Sequence, residues 1–285
     1  MAAEEVLLKE EPDLVVVFGD TNSTLAGALA ASKISIPVAH IEAGLRSYDR
    51  SMPEETNRVL TDQLSELLFA PTKIAVANLE REGIRKGVSK SGDVMVDSLE
   101  TAKRMALENS KVLDKFDLVE KEYLAMTVHR ASNTDSRESM RKIIGIIGRT
   151  GLRTVFPIHP RTKKVLEDAG MIEELPNNLT ITEPLGYLDM LALMAHARSI
   201  VTDSGGIQKE AFILGVRCIT LRQNTEWPET LIEGRNQLVG LDGIKIARAL
   251  SLPPLKGVPR THPFGKPGAA RRIARAIGSW WERAH

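Results

Sequence analysis

The sequence is poor in cysteine and in net charge, and each shortage excludes a class of protein. Its 285 residues include one cysteine, Cys218, which excludes an internal disulfide framework and a cysteine-rich zinc site. Cys218 lies in the apolar run 216–221, where a free cysteine typically packs as a small core residue. The formal net charge is +1, so no strongly basic surface indicates a nucleic-acid partner.

No segment has the length and hydrophobicity of a membrane span or the order of a secretory signal. The longest apolar stretch, residues 188–201, is interrupted by Asp189, His196 and Arg198, whereas a membrane helix needs about 20 predominantly apolar residues. Residues 1–12 are acidic and helix-like, unlike the basic and then apolar order of a signal peptide. We therefore predict a cytoplasmic protein that does not associate with membranes.

The clearest pattern that is present is a strand, a turn, a helix and a second strand near the N-terminus. Residues 13–18 form an apolar, β-branched run typical of a buried parallel strand, and a Gly-Asp-Thr turn follows at 19–21. Residues 22–33, rich in alanine and leucine, predict a helix, and residues 36–41 predict the next strand. A βαβ unit of this kind requires a parallel sheet.

The same order returns in the second half of the chain. Residues 199–202 predict a strand, 203–206 a turn, 207–214 a helix and 216–221 another strand. Further strands are predicted at 123–128, 153–157 and 179–181, and further helices at 137–150, 162–169, 187–197 and 271–281. The fold class predicted from this pattern is α/β, with two Rossmann-like domains and a cleft between them.

A charged, helix-prone stretch, residues 98–120, separates the two halves and is predicted as their connector. We predict an incomplete N-terminal Rossmann-like domain over residues 1–105 and a second Rossmann-like domain over residues 106–265. Residues 266–285 are predicted to form a terminal helix that packs back on the first domain. A length of 285 residues suits two domains by the usual size of a domain.

Carboxylates follow the first two predicted strands. Asp20 and Glu42 come after strands that are neighbours in the predicted sheet, so both face the crevice where open α/β sheets bind ligands. Glu54 and Glu55 follow shortly afterwards. Carboxylates gathered in a cleft can have separated pKa values and act as acid and base. Each acid taken alone also fits a helix cap or a solvated turn residue, so both interpretations stay open.

The turn Asp203-Ser204-Gly205-Gly206 has the features of a diphosphate site. Paired glycines let backbone amides approach a ligand closely, and the following helix directs the positive end of its dipole toward it. The turn lacks the lysine of a P-loop, and no G-x-G-x-x-G pattern follows a strand, which weakens ATPase and dinucleotide interpretations. Glu210 could accept hydrogen bonds from a ribose, although an ordinary exposed helix glutamate is the simpler interpretation.

Histidine and arginine residues follow the later strands. His129 and Arg130 come directly after the strand predicted at 123–128, where they could neutralise a phosphate leaving group. His159 follows the next strand and fits a structural role. The other histidines have no metal-ligand spacing with acids or with one another, so we predict no metal site.

Seven short segments carry a family resemblance. They are GDT at 19–21, HIEAGLR at 40–46, PEETNR at 53–58, HR at 129–130, PIHP at 157–160, DSGGIQKE at 203–210 and LRQNTE at 221–226. In order and spacing they resemble the non-hydrolysing UDP-N-acetylglucosamine (UDP-GlcNAc) 2-epimerases, from about residue 5 to the C-terminus. Each segment is short, but the ordered set is specific.

The resemblance implies the GT-B arrangement of two Rossmann-like domains with UDP-GlcNAc or UDP-ManNAc between them. In the family's reaction a base removes the C2 proton and UDP departs to leave a glycal. UDP re-adds after reprotonation on the other face, which inverts C2. This chemistry needs a base, an acid and groups that stabilise departing UDP, and it implies no redox cofactor and no metal. Family members are commonly dimers, so a homodimer is implied.

Carried over to this sequence, the resemblance assigns acid–base roles to Asp20, Glu42 and Glu54, and assistance of the leaving diphosphate to His129. Substrate binding falls on Arg58, Arg130, Leu185, Tyr187, Ser204, Gly205, Gly206, Glu210 and Arg222. Within that set, Arg58 would lie near the sugar phosphate, residues 204–206 would hold phosphate oxygens, Glu210 the ribose, and the loop 184–187 the uracil.

The sequence departs from the family pattern at four places. The family's first strand and the Gly-Arg-Pro-Glu loop after it are absent, and loss of a central strand would expose two sheet edges. Ser132 replaces a usual glutamate, Trp227 stands where an arginine often contacts the ligand, and residues 265–268 replace a Gly-Asp-Gly turn. Three alternatives therefore stay open: a truncated, non-catalytic UDP-sugar-binding homologue, a GT-B glycosyltransferase, and a hydrolysing epimerase.

Overall fold

The computed structural model describes residues 2–284, and its internal contacts divide the chain into two compact units. One unit combines Met1–Glu100 with Thr261–His285, and the other is Thr101–Arg260. Each unit contains one sheet whose strands all run parallel. The predicted fold class, α/β with two parallel-sheet units, is confirmed. The division falls at 100/101 and 260/261, whereas the sequence places boundaries at 105/106 and 265/266.

The helices and strands alternate along most of the chain. The strands are β1 (Val15–Phe18), β2 (Val38–Ile41), β3 (Leu67–Ala70), β4 (Val88–Lys90), β5 (Tyr123–Thr127), β6 (Arg153–Pro157), β7 (Leu179–Thr182), β8 (Ser199–Thr202), β9 (Arg217–Thr220) and β10 (Asn236–Leu238). The helices are α1 (Ala2–Glu10), α2 (Asn22–Lys33), α3 (Pro53–Leu64), α4 (Lys73–Arg81), α5 (Val94–Asn109), α6 (Val112–Lys115), α7 (Ala131–Thr134), α8 (Arg137–Thr150), α9 (Pro160–Asp168), α10 (Tyr187–His196), α11 (Gly205–Leu214), α12 (Gly243–Ser251) and α13 (Ala269–Ala284).

In the first unit the sheet has the order β1-β2-β3-β4. Parallel pairing sets Phe18 opposite Ile41, and the Gly19 N–H donates to the Ile41 carbonyl at 3.1 Å, which carries the pairing into the turn. Parallel strands end at the same edge of a sheet, so the residues that follow β1 and β2 lie side by side.

The start of α2 holds the turn after β1 in place. The Thr24 N–H donates to Thr21 Oγ1 at 3.3 Å, and the Thr21 N–H donates to Thr24 Oγ1 at 3.2 Å. This reciprocal arrangement is a capping box, which satisfies N–H groups that have no partner inside the helix. The N-cap Thr21, which directly follows Asp20, therefore fixes the residue at which the helix begins.

β1 is the outer strand of this sheet, and one of its faces is exposed. Val17 packs with Ala28 and Ala31 of α2, whereas Val16 and Phe18 are 39% and 58% exposed. An apolar face therefore lies open along this edge. The statement that the family's first strand is absent stays a prediction.

The second unit has a six-stranded sheet in the order β10-β9-β8-β5-β6-β7. Its core is apolar and continuous from β5 and β8 to α8 and α12. Cys218 on β9 is buried as expected, and burial raises the pKa of its thiol to about 12. α11 begins at Gly205, two residues before the predicted start, because both glycines of the turn adopt helical geometry. Within residues 2–284, no helix combines the length and hydrophobicity needed to cross a membrane.

The segment predicted as a connector is largely helical. α5 crosses the boundary between the units at 100/101, and α6 follows it. The terminal helix α13 is longer than the predicted 271–281 and belongs to the first unit. There Ile273 joins the core formed with β2 and β3, and Trp280 Nε1 donates to Glu66 Oε1 at 2.8 Å.

Asp97 of α5 caps the N-terminus of α13 from a distant part of the chain. Its carboxylate accepts the N–H groups of Gly268 at 2.5 Å, Ala269 at 3.3 Å and Ala270 at 2.9 Å. Burial by itself would raise the pKa of Asp97, but these three bonds outweigh it, and its pKa is lowered. The ionised carboxylate therefore fixes the point at which α13 begins.

We expect Asp97→Ala to lower the free energy of unfolding by about 0.5–2 kcal/mol, since it removes a helix cap. The control Glu100→Ala, an exposed acid on the same helix, should change it by less than about 0.5 kcal/mol. Because the pKa of Asp97 is lowered by folding, its contribution is present above the unfolded pKa, about 3.9, and disappears as the pH falls through the folded value. Denaturant unfolding at pH 7 and pH 3 measures both effects, and equal losses in the two variants would contradict the capping role.

Candidate active site

Asp20 lies in the turn after β1, and a buried arginine holds its carboxylate. Arg58 Nη2 contacts Asp20 Oδ2 at 2.5 Å, and Asn57 Nδ2 donates to the Asp20 carbonyl oxygen at 2.9 Å. The Arg58 side chain is 2% exposed, whereas the Asp20 side chain is 29% exposed. A buried cation therefore fixes a carboxylate that still faces solvent, through a charge-assisted hydrogen bond.

Glu42 directly follows β2 and has a left-handed backbone, with φ at 73°. Such a conformation is uncommon for a residue other than glycine and persists only when its surroundings fix it. Glu42 Oε2 lies 3.6 Å from the position that a β-carbon on Gly19 would occupy. The carboxylate therefore lies over the turn that carries Asp20, and the structure brings these two predicted site residues together.

Of the two glutamates that begin α3, Glu55 is the buried one. It accepts hydrogen bonds from Ser47 N at 2.9 Å, Ser47 Oγ at 2.8 Å, Tyr48 N at 2.9 Å and Arg58 Nη1 at 2.6 Å. Burial alone would raise its pKa, but these donors outweigh burial and lower it. Glu55 is thus a fully engaged anion that supports Arg58. Glu54 lies in the first turn of α3 and is half-buried, so it remains accessible.

In the second unit, Asp203 at the end of β8 orients His129. Asp203 is fully buried and accepts the N–H groups of His129 and Arg130 at 3.2 and 3.0 Å, and Asn133 Nδ2 at 3.0 Å. His129 Nδ1 lies 3.2 Å from its Oδ1. Burial alone would raise the pKa of Asp203, but His129 and Asn133 outweigh it and lower it. The ionised aspartate contacts Nδ1 of the imidazole, and 43% of the His129 side chain remains exposed.

The helix N-terminus predicted to hold phosphate is built closely against a carboxylate. Ser204 is the N-cap of α11 and Gly205 is its first residue. A β-carbon on Gly205 would lie 2.1 Å from Glu226 Oε1. A larger residue here would have to displace the buried Glu226 carboxylate, so glycine is favoured by a neighbouring side chain in addition to any close approach of a ligand.

The two arginines predicted to bind substrate in this unit share that carboxylate. Arg222 Nη2 lies 2.8 Å from Glu226 Oε2, and Arg130 Nη2 lies 3.9 Å from Glu226 Oε1. Burial alone would raise the pKa of Glu226, but Arg222 and then Arg130 outweigh it and lower it. Arg222 and Glu226 are each 7% exposed, whereas 24% of the Arg130 side chain is exposed. Arg130 is the more accessible of the two cations.

Tyr187 and Glu210 form a second polar pair. The Tyr187 hydroxyl donates to Glu210 Oε1 at 2.9 Å. Burial raises the pKa of Glu210, and Tyr187 and Lys209 only partly oppose that shift. Glu210 is 8% exposed, so the simpler sequence interpretation, an ordinary exposed helix glutamate, is wrong. Tyr187 is 48% exposed at the start of α10, and Leu185 lies half-buried in the loop before it.

The departure from the family pattern at Trp227 has a structural counterpart in Lys209. Lys209 Nζ lies 3.8 Å from the centre of the Trp227 ring, and the two residues are 2% and 4% exposed. A cation over an indole face offsets part of the cost of burying a lysine. Ser132, the second departure, is exposed in α7.

Sequence reasoning missed the buried partners of these side chains. Glu55 and Asn57 lie within the family segment at 53–58. Glu55 and Arg58 are three residues apart on one helix face, and this spacing is the signal that points to their pairing. Asp203 and Glu226 likewise lie within quoted segments. Among residues 2–284, no group of three or more histidine, cysteine, aspartate or glutamate residues is placed to hold a metal ion.

In comparisons with known proteins, the chain is similar to 2-epimerases of UDP-sugars. The family model described as UDP-N-acetylglucosamine 2-epimerase matches residues 1–278. The chain is 53% identical over 251 residues to the UDP-N-acetylglucosamine 2-epimerase homolog of Methanococcus maripaludis, covering 87% of this chain and 70% of that relative. It is 45% identical over 246 residues to the UDP-2,3-diacetamido-2,3-dideoxy-D-glucuronate 2-epimerase of Pseudomonas aeruginosa, covering 84% and 67%.

A solved structure agrees with these relatives. The UDP-GlcNAc 2-epimerase of Methanocaldococcus jannaschii, crystallised with UDP-GlcNAc and UDP, superposes with a TM-score of 0.90 at 47% identity. The match covers 98% of this chain and 79% of that one. Sequence and fold thus point to the same group of proteins.

The closeness of Gly205 to Glu226 generates a prediction. We expect Gly205→Ala to lower the free energy of unfolding by about 1–3 kcal/mol, because the new β-carbon overpacks a site closed by a buried carboxylate. Gly186→Ala, the control at the N-cap of α10, has open space around its β-carbon and should cost less than about 1 kcal/mol. Thermal and denaturant unfolding measure both, and equal effects would show that Glu226 yields easily.

Proposed function

The chain belongs to the UDP-N-acetylglucosamine 2-epimerase family, and from that premise we propose that it interconverts UDP-GlcNAc and UDP-ManNAc. The observation that carries this proposal is the placement of Asp20 and Glu42 at the ends of two paired strands, over one turn. Inversion at C2 needs a base on one face of the sugar and an acid on the other, and two adjacent carboxylates can supply both.

In the proposed reaction a carboxylate of the first unit takes the C2 proton. The electron pair of that C–H bond forms a C1=C2 double bond while the C1–O bond breaks, and UDP leaves with the electrons of that bond. UDP then re-adds at C1 as C2 receives a proton on the opposite face. Asp20, Glu42 and Glu54 are the candidates for these transfers, and Arg58 keeps Asp20 in place. The steps are redox-neutral, so they require no redox cofactor, and we propose none and no metal.

The second unit is proposed to bind UDP. His129, held by Asp203 and 43% exposed, can donate a proton or hydrogen bond to the departing diphosphate. The N-terminus of α11, with Ser204, Gly205 and Gly206, supplies N–H groups and the positive end of the helix dipole. Among the other predicted binding residues, Arg130 adds a cation. Glu210, held by Tyr187, accepts hydrogen bonds from the ribose hydroxyls. Leu185 lies in the loop proposed to face the uracil. Arg222, paired with Glu226, supports this region.

A second substrate is a specific candidate. The relative from Pseudomonas aeruginosa, 45% identical, is named for a UDP-2,3-diacetamido uronate and inverts the same carbon. Both substrates share the UDP group and a C2–H bond next to the C1–O bond that breaks, so the same residues could serve either reaction. We further propose a cytoplasmic location, where UDP-sugars are found, and a homodimer.

The test is proton exchange at C2. The chain is incubated in deuterated water with UDP-GlcNAc, and in parallel with the diacetamido uronate, and the C2 proton is followed by NMR. Loss of that signal with appearance of UDP-ManNAc supports the proposal. Release of free UDP and free ManNAc identifies a hydrolysing epimerase. UDP binding without exchange identifies a non-catalytic UDP-sugar-binding homologue, and transfer of the sugar to an added acceptor identifies a glycosyltransferase.

Removing one carboxylate at a time should separate chemistry from binding. We expect Asp20→Asn and Glu42→Gln each to slow C2 exchange by about 10²–10⁴-fold, the usual contribution of a positioned acid or base. The affinity for UDP should change by less than about twofold, because the proposed diphosphate residues lie in the other unit. Asp13→Asn and Glu80→Gln are matched controls, since both acids are exposed in the same unit. Retained exchange in either Asp20→Asn or Glu42→Gln removes that acid from the mechanism.

A further inference from the structure

His40 lies on β2, is fully buried and has no part in the proposed reaction. Its ring nevertheless connects two chain segments. Nε2 lies 2.8 Å from the Gly19 carbonyl oxygen, and Nδ1 lies 2.7 Å from Asp62 Oδ1 on α3. The ring therefore lies directly beneath the turn that carries Asp20.

The number of protons on this ring follows from its partners. A carbonyl oxygen can only accept a hydrogen bond, so Nε2 carries a proton. Asp62 also accepts the Gly44 N–H at 3.1 Å and contacts Arg46 Nη1 at 2.8 Å, and both of those groups only donate. A carboxylate surrounded by donors is the ionised acceptor, so Nδ1 carries a proton as well. Both ring nitrogens of His40 are therefore placed as donors, which is the hydrogen-bonding pattern of an imidazolium.

The surrounding charged groups balance this cation. Arg46 makes two hydrogen bonds with Glu82, from Nε at 2.7 Å and from Nη2 at 2.5 Å. His40 and Arg46 are then two cations facing two anions, Asp62 and Glu82. Burial by itself lowers the pKa of Arg46, but Glu82 and Asp62 outweigh it and raise it. His40, Asp62 and Arg46 are buried, whereas the Glu82 side chain is 29% exposed, and each buried cation has an anionic partner, which is the condition under which ionised groups persist in a protein interior.

Asp62 and its neighbours also fix the turn that follows Glu42. The Gly44 N–H is held by Asp62, and the Gly44 carbonyl accepts Asn78 Nδ2 at 2.8 Å. Gly44 has φ at 81°, and a β-carbon there would lie 2.4 Å from the Ala75 carbonyl oxygen, so this turn has one available conformation. One buried pair, His40 and Asp62, thereby contacts both turns that carry the candidate acid–base residues.

We propose that His40 is a doubly protonated positioning residue which, with Asp62, fixes Asp20 and Glu42 relative to each other. This inference rests on the proposed function for its effect on rate, but the charge of the ring can be observed without any reaction. His40 touches no reacting atom and acts through the Gly19 peptide. Displacing either carboxylate by about 1 Å would cost about a hundredfold in rate, since proton transfer depends on close alignment.

The first measurement is ¹⁵N NMR of the histidine-labelled chain at neutral pH. Both ring nitrogens of His40 should show the shifts of protonated nitrogens, and Asp62→Asn should convert Nδ1 to an unprotonated nitrogen while Nε2 stays protonated. A ring in the wild-type chain with one unprotonated nitrogen would overturn the proposal. The exposed His262 is the internal reference for a solvated ring.

Kinetics then separate positioning from simple loss of structure. We expect His40→Asn, which can reach Asp62 but not Gly19, to lower kcat for C2 exchange about a hundredfold with KM and UDP affinity within about twofold. His40→Gln places its amide near the Nε2 position and should restore about tenfold of that loss. His262→Asn is the control and should retain wild-type rates.

If His40→Asn and His40→Gln both have the kcat of the wild-type chain, the positioning role is overturned. If the His40 variants do not fold, Asp62→Asn, which keeps the shape of the side chain but removes its charge, is measured instead, and a loss of kcat smaller than about tenfold overturns the positioning role. If the wild-type chain itself shows no exchange, the proposed function fails. In that case the ¹⁵N spectra still decide the protonation of His40, so the two failures are distinguishable.

Discussion

The parallel pairing of β1 with β2 is the constraint on which the candidate site of the first unit depends. It sets Phe18 opposite Ile41, and the hydrogen bond from Gly19 N–H to the Ile41 carbonyl continues it by one residue. Side chains alternate along a strand, so a shift of one residue would turn Asp20 away from Glu42 and separate His40 from the Gly19 carbonyl. The contacts of Arg58, Asn57 and Asp62 from α3 reinforce a placement that the sheet has already made.

The fold buries several charged side chains, and removing them from water costs free energy. Arg58, Arg46 and Lys209 are almost completely buried, and each has a partner: Asp20 and Glu55, Asp62 and Glu82, and the Trp227 ring. A buried ion pair gains little net stability because desolvation offsets the attraction, whereas removing one partner is strongly destabilising. Such pairs are therefore better explained as fixing side-chain positions than as stabilising the fold. The same interpretation gives a structural reason for Trp227, which departs from the family pattern: its ring is the partner of the buried Lys209.

The strands that are followed by candidate site residues were predicted from the sequence, whereas three other strands were missed. The runs before Asp20, Glu42, His129 and Asp203 are apolar, β-branched and followed by polar turns, so period and turn signals coincide. Turn residues also follow β3, β4 and β10, but β4 and β10 have three residues each, too few to show a period, and the pairing of all three strands depends on distant parts of the chain. The same limit applied to the site: Glu210 looked like a solvated helix acid, because no local pattern shows that Tyr187 covers it.

Both units hold an exposed functional group in place with a buried partner, and this arrangement explains which residues sequence reasoning can find. In each, an exposed functional group is held by a buried group of opposite or complementary charge: Asp20 at 29% exposure by Arg58 at 2%, and His129 at 43% by Asp203 at 0%. The exposed members lie in turns at strand ends, where polar residues stand out against apolar strands. The buried members lie on helices or strand ends among other charges, and their importance follows from burial, which no single segment encodes. A carboxylate on an unsupported loop would have to be ordered at every turnover. Here folding has already ordered it, so less of the substrate's binding energy is needed for alignment and more can stabilise the transition state.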